Sequence, residues 1–141
     1  MMTEKFKILT KYVKDMSVET PNVETYLFVK ECISKYKLNI DIKSNLLKNK
    51  LIEINIKFIF EDKEANEKRS HFEIVYAVVT KINENVNDKK ELEKIILCEV
   101  PNLVYPDLEK VFLSLIHNAG YPALKFEKKV DFYKLFNDRI N

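Results

Sequence analysis

Apolar and polar residues alternate with period two over three separate stretches. This pattern commits most of the chain to strands buried on one face and wet on the other. From Tyr36 to Lys43, Tyr36, Leu38, Ile40 and Ile42 are apolar, and Lys37, Asn39, Asp41 and Lys43 are polar. From Leu51 to Glu61 every even residue is apolar: Ile52, Ile54, Ile56, Phe58 and Phe60. From His71 to Ile82 the even set continues with Phe72, Ile74, Tyr76, Val78 and Ile82. Phe6, Ile8 and Tyr12 suggest a fourth, less regular strand from about Lys5 to Lys14 with those three on one face. The polar links Ser44 to Asn49 and Asp62 to Arg69 are short, which favours antiparallel neighbours. Met16 to Lys35 is long enough for a crossover.

The period then changes. Leu108, Val111, Phe112, Leu115 and Ile116 form the apolar stripe of an amphipathic helix. Pro106 is expected in its first turn, and Gly120 as its left-handed C-cap. A second helix carries Phe132, Leu135 and Phe136 on one side, with Asp131 near its N-terminus. Asp88 to Leu97 is expected to form a shorter helix. Strands followed by helices imply an α+β fold, and 141 residues suffice for one domain, taken as 1–141.

Little catalytic chemistry can be assembled from these residues. A single glycine excludes the glycine-rich phosphate loops. Cys32 and Cys98 match no metal or redox spacing, and His71 and His117 lack ligand neighbours. The reading is therefore of a protein that is not an enzyme and needs no metal or other cofactor. No apolar run reaches the ~18 residues of a membrane span. Met1 to Lys7 has no apolar core, so no signal peptide is expected. A reduced, cytoplasmic protein fits. The formal net charge is only +2. Lys5, Lys7, Lys11 and Lys14, with Lys125, Lys128 and Lys129, leave a nucleic-acid-binding domain as an alternative, but interspersed acids favour a solvated surface.

One feature resists a two-layer fold. Leu9, Val13, Leu51, Ile59, Val75, Ala77 and Val79 fall on the odd, supposedly wet positions. They imply an oligomer interface or a surface for apolar segments of other proteins. A bulged strand that swaps faces is the structural alternative.

Three blocks resemble the SecB family of bacterial protein-export chaperones. The first is Tyr12-Val13-Lys14-Asp15-Met16-Ser17-Val18-Glu19-Thr20-Pro21-Asn22. The second is Pro101-Asn102-Leu103-Val104-Tyr105-Pro106. The third is Gly120-Tyr121-Pro122-Ala123-Leu124 followed by Val130-Asp131-Phe132-Tyr133-Lys134-Leu135-Phe136. Their order and spacing span about Phe6 to Phe136.

The resemblance implies a four-stranded antiparallel sheet with two long helices packed on one face. It implies a homotetramer, a dimer of dimers, with the first long helix between dimers. The implied activity is ATP-independent holding of unfolded preproteins and their delivery to the SecA motor, without nucleic acid or membrane insertion. Asp15, Glu19 and Glu73 match the acidic SecA-binding positions, and His71 aligns with a hydrophobic residue of that surface. Parity independently points Glu73 away from Phe72, Ile74 and Tyr76. Tyr26, Leu27 and Phe28 of the crossover, with Tyr121 and Leu124, are the expected client-groove residues. Departures include Ala77-Val78-Val79 for a family Gly-Gly and Asp107-Leu108-Glu109-Lys110 for a family Ala-Arg. Another client, such as an antitoxin, would use the same fold and holding chemistry.

Overall fold

The alternating stretches become strands where the pattern places them. The computed structural model describes residues 5–63, 69–126 and 128–140. Strand β1 spans Phe6–Glu19, β2 Lys37–Leu46, β3 Leu51–Glu61 and β4 His71–Ile82. They form one antiparallel sheet in the order β1-β4-β3-β2. The crossover from β1 therefore carries the chain to the opposite edge. It contains helix α1, Val23–Cys32, whose N-cap Asn22 accepts a hydrogen bond from the Thr25 amide at 2.8 Å.

The even residues of β3 and β4 face inward: Ile54, Ile56, Phe58, Phe72, Ile74 and Val78 are fully buried. Their register is unbroken, so Leu51, Ile59, Val75, Ala77 and Val79 lie on the outer face. Ala77 is nonetheless completely buried there.

Strand β1 departs from simple parity. Its pairing with β4 shifts between Ile8 and Thr10 and again between Val13 and Asp15. An extra residue in one strand inverts which face the following side chains take. Between the shifts, Lys11 and Val13 oppose the inward-facing Val78 and Tyr76, and Tyr12 opposes Ala77. Tyr12 thus lies on the outer face, opposite to Phe6 and Ile8 and contrary to expectation. The second shift restores the original parity, so Asp15 and Glu19 face outward. Both belong to β1 rather than lying just beyond it.

The helical part is more continuous than its sequence suggests. Helix α2, Lys89–Lys94, runs through a widened π-helical turn, Ile95–Glu99, into helix α3, Val100–Asn118. Pro106 lies inside α3 instead of in a first turn, and Pro101 takes the early position. Pro101 cannot donate a backbone hydrogen bond, and the wider turn beside it breaks the regular ladder there without ending the helix. Leu108, Phe112 and Ile116 point into the core as the stripe predicts. Phe112 meets Phe58 edge-on with ring centroids 5.8 Å apart, so α3 covers the inner sheet face. The last helix, α4, is Phe132–Ile140, and its buried Phe132 packs 5.9 Å from Tyr105 of α3.

Gly120 follows α3 with φ at 115°, a conformation that other residues rarely adopt. A Cβ there would also lie 2.4 Å from Cε1 of Tyr26. Elsewhere the chain lacks glycine for its left-handed turns. In the β2–β3 turn Asn49 and Lys50 take φ of 61° and 60°.

Candidate functional site: an apolar groove and an acidic outer face

A groove of about 960 Å³ opens between the start of β2 and the segment joining α3 to α4. Tyr36, Leu38 and Ile40 line one side. Leu124, Phe126 and Val130 line the other, with Ile33 and Phe60 also contributing. Its aromatic residues meet one another at an angle: Phe60 lies 5.4 Å from Tyr36, tilted, and 5.6 Å from Phe126, edge-on, centroid to centroid. The Tyr36 hydroxyl accepts the Ser70 amide at 3.0 Å, so this buried ring is fixed in place. Because β2 is an edge strand, the groove lies beside a backbone edge that no other described strand pairs. An apolar trough beside an open strand edge suits an extended polypeptide, by side-chain burial and by main-chain pairing.

The expected groove residues take three different places. Leu124 lines the groove. Tyr26 and Tyr121 stand outside its lining and pack on each other at 5.4 Å. Tyr121 is buried against Phe72, and the Tyr26 hydroxyl donates to the Gly120 carbonyl at 2.9 Å. This pair anchors the start of the α3–α4 segment. Leu27 and Phe28 project from α1 and are 56% and 46% exposed, away from the groove lining. Sequence reasoning missed Tyr36, Leu38, Ile40 and Phe60 because their alternation marks them equally well as core, and Phe126 because it lies in an irregular segment without a periodic signal. Only the short cover on this end of β2 distinguishes them.

The outer sheet face brings the acidic candidates together. Glu19 pairs in register with His71, Ser17 with Glu73, and Asp15 with Val75. His71 Nε2 lies 3.2 Å from Glu73 Oε1, and its Nδ1 lies 3.9 Å from Glu61 Oε2. Lys57 approaches Glu73 at 3.8 Å. Glu61 therefore joins the set, at a position that sequence parity alone would assign to the wet face. A notch of about 350 Å³ lies at this end, lined by Glu19, Glu61, Arg69 and His71 among others.

Farther along the same face, a second carboxylate has a structural role. Glu53 accepts from Lys14 at 2.9 Å, from Tyr12 at 3.0 Å and from Asn55 at 3.0 Å. Lys14, then Asn55, hold its pKa down to about 2 against a weaker effect of burial. Tyr12 and Lys14 belong to β1 and Glu53 to β3, so their side chains bridge over β4. The small Ala77, opposite Tyr12, lies beneath that bridge.

The residues that depart from the family pattern also have partners. Inward-facing Lys11 forms an ion pair with Asp107 of α3. Glu109 accepts from Lys129 at 2.9 Å and from the Tyr105 hydroxyl. Burial opposes ionisation of Glu109, but these two donors outweigh it and keep its pKa below the usual value. Among the described residues, no group of three or more His, Cys, Asp or Glu side chains is placed to hold a metal ion. No helix formed by them is long and apolar enough to cross a membrane.

A four-stranded antiparallel sheet, helices on one face and an open apolar groove together define the SecB-like chaperone fold. A solved Mycobacterium tuberculosis SecB-like chaperone, in complex with a ChAD peptide from the HigA1 antitoxin, matches it with a TM-score of 0.61. The match covers 89% of this chain and 91% of that one, at 12% identity. The family model described as "Preprotein translocase subunit SecB" matches residues 1–141, and the chain belongs to the SecB family. It is 55% identical over 140 residues to a Pelagibacter ubique protein described as "Putative protein-export protein SecB". That alignment covers 99% of this chain and 100% of the relative. A "Protein-export protein SecB" of Bartonella bacilliformis is 28% identical, over 96% of this chain and 83% of that one.

Proposed function

We propose that this protein is a cytoplasmic export chaperone that holds unfolded preproteins without ATP and passes them to SecA. The observation that carries the reading is the open apolar groove beside the unpaired edge of β2. A folded client buries the apolar residues that such a groove takes, so it selects chains that have not yet folded. Holding of this kind needs differential burial and no cofactor. Leu124 contributes directly to the groove; Tyr26 and Tyr121 act from behind it. Leu27 and Phe28 extend the apolar contact surface along α1.

Delivery rests on the outer face. Asp15, Glu19 and Glu73 form an acidic surface with His71 between them, suited to basic parts of SecA. The working form is a homotetramer, a dimer of dimers. Val13 and Met16 face the helix side of β1 yet remain 39% and 45% exposed. They leave apolar surface for a second subunit to cover.

A chaperone dedicated to an antitoxin is the second reading. The peptide complex of the M. tuberculosis SecB-like protein favours it, through the shared fold alone. A nucleic-acid role draws less support, because Lys11 and Lys14 are engaged by Asp107 and Glu53.

The test is dilution of a chemically unfolded preprotein into buffer containing this protein, without ATP. Selective capture of the unfolded chain over its folded form and over a DNA duplex is expected. Equal capture of folded and unfolded chains, or binding to DNA alone, would refute the holding function. Competition between preprotein and antitoxin segments separates the two client readings.

A further inference from the structure

The sheet is polarised along its strands. Glu19, Glu61 and His71 mark the end where β1 and β3 finish and β4 begins. The opposite end is basic. There Lys7 and Lys81 are direct cross-strand partners, and Lys81 in turn pairs with Leu51. Both lysines are exposed, as are Lys48 and Lys50 of the adjoining β2–β3 turn. Among the described residues, Lys7, Lys48 and Lys81 are held in no ion pair, and Lys50 reaches only the exposed Glu84, at 3.9 Å. Glu53, farther along β3, is already engaged by Lys14, Tyr12 and Asn55. Glu4 lies outside the described residues, and the four lysines outnumber it and Glu84 together. Like charges set directly opposite each other weaken a strand pair, a cost that an anionic partner relieves.

We propose that this end of the sheet docks peripherally on an anionic lipid surface. The same turn carries Leu46 and Leu47, 82% and 44% exposed. Leu46 is the most exposed large apolar side chain among the described residues, although its cross-strand partner Ile52 is buried. Apolar tips beside lysines suit a bilayer interface: the leucines enter the acyl boundary while the ammonium groups stay among the phosphates. An acidic peptide would use the lysines but leave both leucines in water. A nucleic acid fits less well, because the patch offers neither an aromatic ring for stacking nor an arginine for bidentate contact. Two leucines and four lysines give a weak, reversible attachment that leaves the acidic end of the sheet free. The inference is independent of the client groove.

The experiment uses the full chain and vesicles of phosphatidylglycerol and phosphatidylcholine in equal parts, with pure phosphatidylcholine as the control. Co-sedimentation at low salt is expected with the anionic vesicles alone and should fade as salt is added. Lys7→Gln together with Lys81→Gln should weaken that binding by about tenfold or more, the scale for withdrawing two lysines from an anionic surface. Leu46→Ser together with Leu47→Ser should weaken it as well, which a purely electrostatic contact would not show. All four side chains are exposed, so both variants should keep the wild-type circular dichroism. No binding to the anionic vesicles, equal binding to the neutral ones, or unchanged binding in the lysine variant would overturn the proposal. So would lysine-dependent binding to polyglutamate or to a DNA duplex with none to vesicles, which would assign this end to a soluble polyanion.

Discussion

Replacing Gly120 by alanine tests how firmly the wall of the apolar groove is anchored. At φ of 115° an alanine is strained whatever its neighbours. Holding a non-glycine residue in so sparsely populated a region costs about 1–3 kcal/mol. The new Cβ would also start 2.4 Å from Tyr26 Cε1, whereas ordinary contact begins near 3.4 Å. The Tyr26 ring must therefore retreat by about 1 Å, the difference between those two distances. That retreat disrupts its 2.9 Å hydrogen bond to the Gly120 carbonyl, a further loss of about 1 kcal/mol. The expected destabilisation is about 2–4 kcal/mol. Urea unfolding at fixed protein concentration measures it as a lowered midpoint with unchanged slope. Truncating Tyr26 to alanine isolates the clash: in that background Gly120→Ala should retain only the backbone cost. A loss below about 0.5 kcal/mol, within the range of an ordinary surface substitution, would refute the strain argument. An identical loss in both backgrounds would refute the steric part.

Reversing Asp15, Glu19 and Glu73 together to lysine should abolish SecA binding while unfolded-client capture persists; unchanged SecA affinity by calorimetry would reject the outer face as the docking surface. Truncating the fully buried Phe112 to alanine should cost about 3–5 kcal/mol in denaturant unfolding, because it empties the contact with Phe58 and Phe126. A charge at Leu108 should impair folding or assembly, read by native mass and unfolding. Glu53 has a depressed folded pKa, so its stabilisation is present above the usual carboxylate value and fades as pH falls toward about 2. Glu53→Gln should therefore flatten the acid limb of the stability profile between pH 4.5 and about 2. An unchanged limb would show that the bridge over β4 contributes no linkage.

The strands were legible because each rests on a local, repeated choice between two faces. The same rule failed at Tyr12, since a bulge leaves no distinct residue type in this sequence. Only pairing with β4 reveals the two shifts, and only together do they return Asp15 and Glu19 to the outer face. Helix boundaries were similarly obscured by proline. Pro106 carries a strong local signal for a helix start, yet packing of Val104, Tyr105 and Leu108 into the core holds the helix through it.

The acidic candidates on the outer face could be named from the residues and the family resemblance. The groove could not be drawn from them. Tyr36, Leu38, Ile40 and Phe60 look like ordinary core residues along the chain. Tyr36 and Phe60 are in fact buried and meet the groove only at its lining; the partial exposure of Leu38 and Ile40 depends on how far the α3–α4 segment reaches across β2, which nonlocal packing sets. Tyr26 and Tyr121 illustrate the reverse: aromatic residues that resemble a binding surface in sequence pack on each other behind the groove, Tyr121 buried and Tyr26 partly so.

The sequence by itself determined the α+β class, the inward set of β3 and β4, the core stripe of α3 and the need for Gly120. Each follows from periodicity or from a backbone preference that acts within a few residues. Tertiary structure alone decided the strand order, the faces of β1, the continuity of residues 89–118 and the apolar groove beside β2. Those depend on which distant segments meet, and a side chain's exposure or electrostatic partner exists only after they have met.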